Sequence, residues 1–143
     1  MLRTTLAAAA VIAAGAAANA ERANFTPGEW TYTVSFNAAG QTMSDSNTDC
    51  MNAAEASMDT QSLVEEFSGG AECTSNVVNQ VPGSITFDMT CPATESMQSA
   101  RLTMTYQSKS FTITGPVTLN LGNGKTLEAT LDTRARYLGA CPS

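Results

Sequence analysis

The residues with the most chemistry in them are four cysteines, Cys50, Cys73, Cys91 and Cys141, in a chain that contains no histidine. Thiols in a sequence do three kinds of work: they bridge, bind metal or react. No C-x-x-C pair exists for redox exchange, and without histidine no mixed Cys/His ligand spacing can form. The same absence removes the usual general base and every Ser-His or Cys-His dyad. Carboxylates are the remaining acid–base candidates. Glu65 and Glu66 are adjacent and point to different parts of a helix surface, and Asp45 and Asp49 lie four apart on a polar strand. Neither spacing poises one carboxyl against another, so the expectation is a protein with no catalytic residues, no metal site and no cofactor.

An even cysteine count in an exported chain reads as a disulfide framework with three possible connectivities. Export is expected from the first residues. Arg3 supplies a basic start, Leu6 to Ala18 is an apolar run shorter than the roughly 20 residues of a membrane span, and Ala18-Asn19-Ala20 is a cleavage site. Residues 1–20 are thus read as a signal peptide and 21–143 as one β-rich domain, periplasmic or secreted. With Arg3 gone, six basic residues face thirteen acidic ones, a formal charge of −7. Nucleic acid and anionic lipid are poor partners for such a chain.

The elements that must position these cysteines are mostly strands. From Trp30 the alternation is strict: Trp30, Tyr32, Val34 and Phe36 share one face, and Glu29, Thr31, Thr33 and Ser35 the other. Ala38-Ala39-Gly40 permits a reversal into a polar strand, Gln41 to Cys50, suited to a sheet edge. Asn52 and Glu55 then have the spacing of a capping box, and Leu63, Val64 and Phe67 supply an apolar stripe before Gly69-Gly70, predicting one broken helix or two short ones between about Ala53 and Phe67. A meander follows, with apolar faces at Cys73, Val77 and Val81, then Ile85, Phe87, Met89 and Cys91, then Leu102, Met104 and Tyr106, then Phe111, Ile113, Val117, Leu119 and Leu121, then Leu127, Ala129 and Leu131. Matching those faces puts Tyr106 beside Phe111 across a two-residue turn at Ser108-Lys109. It also sets Leu119 opposite Leu127 through a three-residue loop at Gly124. Pro116 falls on the polar face, as at an edge or bulge. The sum is a mainly β fold: an antiparallel meander of about seven strands, strongly curved or partly closed as a barrel, with a short helical insertion after the second strand.

Register also selects a disulfide pairing. If Val81-Pro82-Gly83 is a three-residue loop, Gln80 faces Ser84, and counting outward places Cys73 opposite Cys91, within bridging reach. Cys50 then pairs with Cys141. On the chain-entropy model the local bridge contributes ~3 kcal/mol and the long one ~4 to 5 kcal/mol.

Pro27-Gly28-Glu29-Trp30 at the first strand and Arg134 to Cys141 at the last, with a helix after Cys50 and a hairpin between Cys73 and Cys91, resemble a family of bacterial exported proteins, domain-of-unknown-function family 3617. The chain departs from that family's usual pattern at Glu29, where Leu is common, and at the Ser108-Lys109 turn. The resemblance implies export and this β fold, marks Gly28, Trp30 and Gly139 as structural anchors, and brings no catalytic residues with it. Four functions compete: non-enzymatic binding or support of another periplasmic protein; carriage of a small apolar ligand in a lipocalin-like barrel, prompted by Gly28-x-Trp30 and by Arg134 or Arg136 stacking on the indole; Cu(I) binding by methionines, among them Met43, Met51, Met58, Met89, Met97 and Met104; and inhibition of a secreted hydrolase. Large interior residues argue against a spacious barrel, so a cavity of ~300 Å³ or more is the observation that favours a carrier.

Peptide mass spectrometry of the exported protein without reductant is expected to recover Cys73 joined to Cys91 and Cys50 joined to Cys141. A Cys50–Cys73 peptide, or four alkylatable thiols, refutes that pairing.

Overall fold

The computed structural model describes residues 22–67 and 72–142. The signal peptide expected over residues 1–20 and the helix stop at Gly69-Gly70 lie outside the described residues. Seven strands form one antiparallel sheet in the order β3-β2-β9-β8-β7-β6-β5. They are β2 (Gly28–Ala38), β3 (Gln41–Met51), β5 (Thr74–Val81), β6 (Ser84–Thr90), β7 (Met97–Gln107), β8 (Ser110–Gly122) and β9 (Lys125–Gly139). Two further strands, β1 (Arg22–Asn24) and β4 (Ser57–Asp59), pair with each other. The sheet does not close. β3 and β5 remain its edges.

One face of every central strand is apolar, and these faces together make the core: Ile85, Phe87, Leu102, Ile113, Val117 and Leu131 are all buried. The opposite face is rich in hydroxyls, which pair across strands, as Thr86 with Thr103 at 3.0 Å and Thr33 with Ser46 at 3.0 Å. β3 is exposed throughout Gln41 to Cys50, and Met43, 70% exposed, is its one large apolar side chain in that run. A polar edge of this kind is a poor template for unwanted pairing.

Turn lengths differ from the sequence-based expectation; most faces hold, but Val81 and Leu121, expected on the apolar face, are exposed next to the turns. Val81 pairs with Ser84, so the β5–β6 turn has two residues, Pro82 and Gly83, and Val78 bulges to restore the Val77–Phe87 pair. The β8–β9 turn is likewise two residues, Asn123 and Gly124, both at positive φ, and Leu121 bulges so that Leu119 meets Leu127 and Val117 meets Ala129. A two-residue turn with positive φ matches the twist of the strands, and a bulge repairs the parity that the shorter turn would shift. Pro116 sits inside a central strand, not at an edge. Its missing N–H costs little because β7–β8 pairing skips from Ala100–Val117 to Thr103–Thr114 there.

The helix starts later than predicted. Asn52 and Glu55 do bond reciprocally, each backbone N–H to the other's side-chain oxygen at 2.9 Å, but they close a turn and no helix follows. Phe25 donates its N–H to the Ala56 carbonyl at 2.7 Å, and this draws Ser57–Asp59 out as β4 against β1. α1 then spans Thr60–Phe67. Its cap is Asp59, whose carboxylate accepts from the Ser62 N–H at 2.8 Å and the Ser62 hydroxyl at 3.1 Å. These hydrogen bonds hold the Asp59 carboxyl below its usual range. The insertion therefore follows β4 rather than the second strand of the sheet.

Trp30 is fully buried at the start of β2, ringed by Phe25 at 5.7 Å, Phe111 at 6.0 Å and Tyr137 at 6.1 Å between ring centres. Its indole N–H donates to the Thr26 carbonyl at 2.9 Å, so burial leaves no polar atom unpaired. Among the described residues no arginine stacks on it. Arg134 and Arg136 face outward opposite Thr33 and Thr31, and Arg134 pairs with Asp132 at 3.0 Å. Gly28 (φ 149°) and Gly139 (φ 151°) both hold backbone conformations that side chains rarely adopt. Only Gly28 is also crowded: a Cβ there would run into the Gly139 carbonyl oxygen and the Tyr137 ring.

Replacing Gly28→Ala is expected to cost roughly 2–4 kcal/mol, since backbone strain and a steric clash coincide. Urea unfolding checks this as a lower midpoint at unchanged slope. Gly139→Ala, free of the clash, should cost less.

Candidate functional site

The curved sheet leaves its concave face only partly covered, and the cover is the β4–α1 segment. The Thr60 hydroxyl accepts from the Gln80 amide at 2.7 Å, tying the start of α1 to β5. Leu63 and Val64 turn inward from the helix. At the far side of the sheet, Thr26 donates its N–H to the Ser108 carbonyl at 2.8 Å, which seats Phe25 over the β7–β8 end.

Between sheet and cover lies a cavity of about 440 Å³. Its floor is Val34, Phe87, Met104, Ile113 and Thr133, from five different strands. Phe25, Tyr32 and Phe111 form an aromatic wall, with Phe111 5.4 Å from Phe25 and 6.2 Å from Tyr32 between ring centres. Met51, Met58, Leu63 and Val64 make the roof. At the mouth stand two carboxylates, Asp49 on the edge strand and Glu55 in the turn before β4. A second cavity of about 300 Å³ continues along the same face beneath the Cys73–Cys91 bridge and shares Val34 and Thr133 with the first. Among the described residues neither is lined by Lys or Arg.

Burial pushes the Tyr32 phenol above its usual range, and the charges of Asp49 and then Glu55 push it further. The carboxylates therefore act electrically on the interior as well as on solvent. Asp49 reaches the cavity because of register: it pairs with Trp30, and Asp45 with Val34, so both share the concave face.

The four cysteines form two bridges, Cys50–Cys141 and Cys73–Cys91, with Cα separations of 5.8 Å and 4.1 Å. The first fixes the end of edge strand β3 at the cavity mouth to the tail that follows β9. No three acidic or cysteine side chains gather as a metal-binding group among the described residues. Met43 is exposed and Met97 lines the second cavity, but Met51, Met58 and Met104, scattered in sequence, meet in the first. Nothing in their spacing marks that meeting, because three separate strands supply them. Glu65 is exposed on α1, and the side chain of its neighbour Glu66 lies outside what the structure describes.

Among the described residues no helix is long and apolar enough to cross a membrane. The model of a family described as "Protein of unknown function (DUF3617)" matches residues 25–141, and the chain belongs to that family. No curated protein and no solved structure matches it.

Tyr32 is expected to ionise at higher pH than an ordinary tyrosine, read as the ultraviolet difference between the parent and a Tyr32→Phe variant during alkaline titration. Asp49→Asn with Glu55→Gln should return it part of the way, since burial remains the larger cause. A raised folded-state pKa gives stability that is present below the usual tyrosine range and lost as pH rises through the folded value. The parent should therefore lose stability relative to Tyr32→Phe as the phenol ionises, read as a urea midpoint that falls with pH more steeply than the variant's.

Proposed function

We propose that this member of the DUF3617 family is a non-enzymatic exported binding protein that holds a small apolar molecule between its curved sheet and the β4–α1 cover. One observation carries the reading: a mostly apolar cavity of about 440 Å³, within the ~300–1,000 Å³ range of small-molecule sites. It is concave and walled by aromatic rings, and a handful of polar groups converge on it, the usual anatomy of such a site. Three methionines in the lining supply adaptable surface of the sort that accepts varied apolar shapes. The two disulfides suit an oxidising compartment such as the periplasm. The barrel is incomplete, so entry would be through the gap between β3 and the cover.

A second reading, support of another periplasmic protein, draws on β3, an eleven-residue edge strand whose backbone is free on one side. Cu(I) binding draws on the thioethers of Met51, Met58 and Met104.

The readings separate with N-phenyl-1-naphthylamine, a neutral dye that brightens in apolar surroundings. The parent should bind it, and Val34→Trp, which fills the space shared by both cavities, should abolish binding while both disulfides persist. Met43→Ser on the exposed edge should leave dye binding unchanged. Absence of dye binding by the parent overturns the proposal. Competition for Cu(I) against a weak chelator would favour the metal reading instead.

A further inference from the structure

The charge pattern of the cavity narrows the class of molecule, and this step rests on the cavity being a binding site. Every charged side chain that lines either cavity is acidic: Asp49 and Glu55 at the first, Glu95 at the second. Asp45 joins them on the concave face of the edge strand, opposite Val34. The carboxylates already have backbone partners, the Cys50 N–H on Asp49 at 2.8 Å and the Asn52 N–H on Glu55 at 2.9 Å, but a neutral donor leaves the charge uncompensated. No lysine or arginine answers them in the lining. Beside them stands an aromatic wall of Phe25, Tyr32 and Phe111.

Carboxylates next to aromatic faces are the surroundings that favour an organic cation: the first by charge, the second by the negative face of the ring. An anion would meet repulsion at the mouth. A fatty acid is therefore a poor fit, and a neutral molecule would leave the carboxylates idle. We propose that the ligand is an amine- or ammonium-bearing apolar molecule, its cationic head between Asp49, Glu55 and the Tyr32–Phe111 rings, its body against Phe87, Met104 and Ile113. The raised pKa of Tyr32 agrees with a negative potential at that end of the cavity. The chain's overall negative charge would also speed the approach of a cation at low salt.

Three isosteric probes test this on the intact, disulfide-bonded protein by isothermal titration: 4-phenylbutylamine, 4-phenylbutanol and 4-phenylbutyrate. The amine should bind at least about fivefold more tightly than the alcohol, the size expected of a few partly exposed charge and ring contacts, and the carboxylate most weakly. In Asp49→Asn with Glu55→Gln, which keeps an acceptor oxygen for each backbone N–H, the amine's advantage over the alcohol should shrink to the part the aromatic rings supply. Unchanged circular dichroism and melting temperature would show that the variant is folded. Equal binding of all three probes by the parent, or an undiminished amine preference in the variant, overturns the cationic ligand and leaves the cavity reading intact. Binding of none by the parent, together with failure of the neutral dye, overturns both.

Discussion

Side chains on a strand alternate with a period of two, so in a one-sided sheet a slip of a single residue turns a whole strand's apolar set toward water. Everything else in this fold answers to that constraint. Bulges at Val78, Gln98, Leu121 and Leu138 each absorb one residue where a hairpin's turn or a strand's entry would have broken the match. The apolar bulge residues are pushed outward: Val78, Leu121 and Leu138 are three of the five large hydrophobics left exposed among the described residues. Exposing three side chains is a modest cost beside inverting a strand, since fully burying one large apolar residue is worth about 1.5–3 kcal/mol and each strand carries several.

The bulge at Leu138 shows how this constraint reaches the concave face. It shifts the β2–β9 register between Glu29 and Trp30, and Trp30 then lies opposite Tyr137 and inside the ring of Phe25 and Phe111. That cluster closes one end of the sheet, with Gly28 leaving room for the Gly139 carbonyl. Bulges also sharpen twist and bend a strand, and a sheet bent in this way has a concave face that one short helix cannot fill. The cavity follows from an excess of apolar surface over cover.

The covering segment is held more by hydrogen bonds and covalent links than by helix propensity. An eight-residue helix is too short to be stable alone. The Asp59 cap, the Thr60–Gln80 bond and the β1–β4 pairing hold α1 in place. The Cys50–Cys141 bridge holds the edge strand beside it. A light cover over a strongly built sheet places the least stable part of this fold over the cavity.

Sequence alone determined the strands and their faces, because period-two alternation is local and strong in Trp30 to Phe36 and Ile85 to Met89. It also determined the antiparallel meander and the polar character of the edge strand. Turn lengths at Gly83 and Gly124 were illegible, since a bulge several residues away can offset them and no side chain announces a bulge. The start of the helix was misread for a related reason: the Asn52–Glu55 box forms, but a backbone bond from the distant Phe25 ends that turn and leaves Asp59 to begin the helix. Only the tertiary structure brought Met51, Met58 and Met104 together, or turned Asp49 from a solvated edge charge into the rim of a cavity. Strand faces are fixed by neighbours two residues apart, whereas a cavity is fixed by curvature, which is a property of the whole sheet.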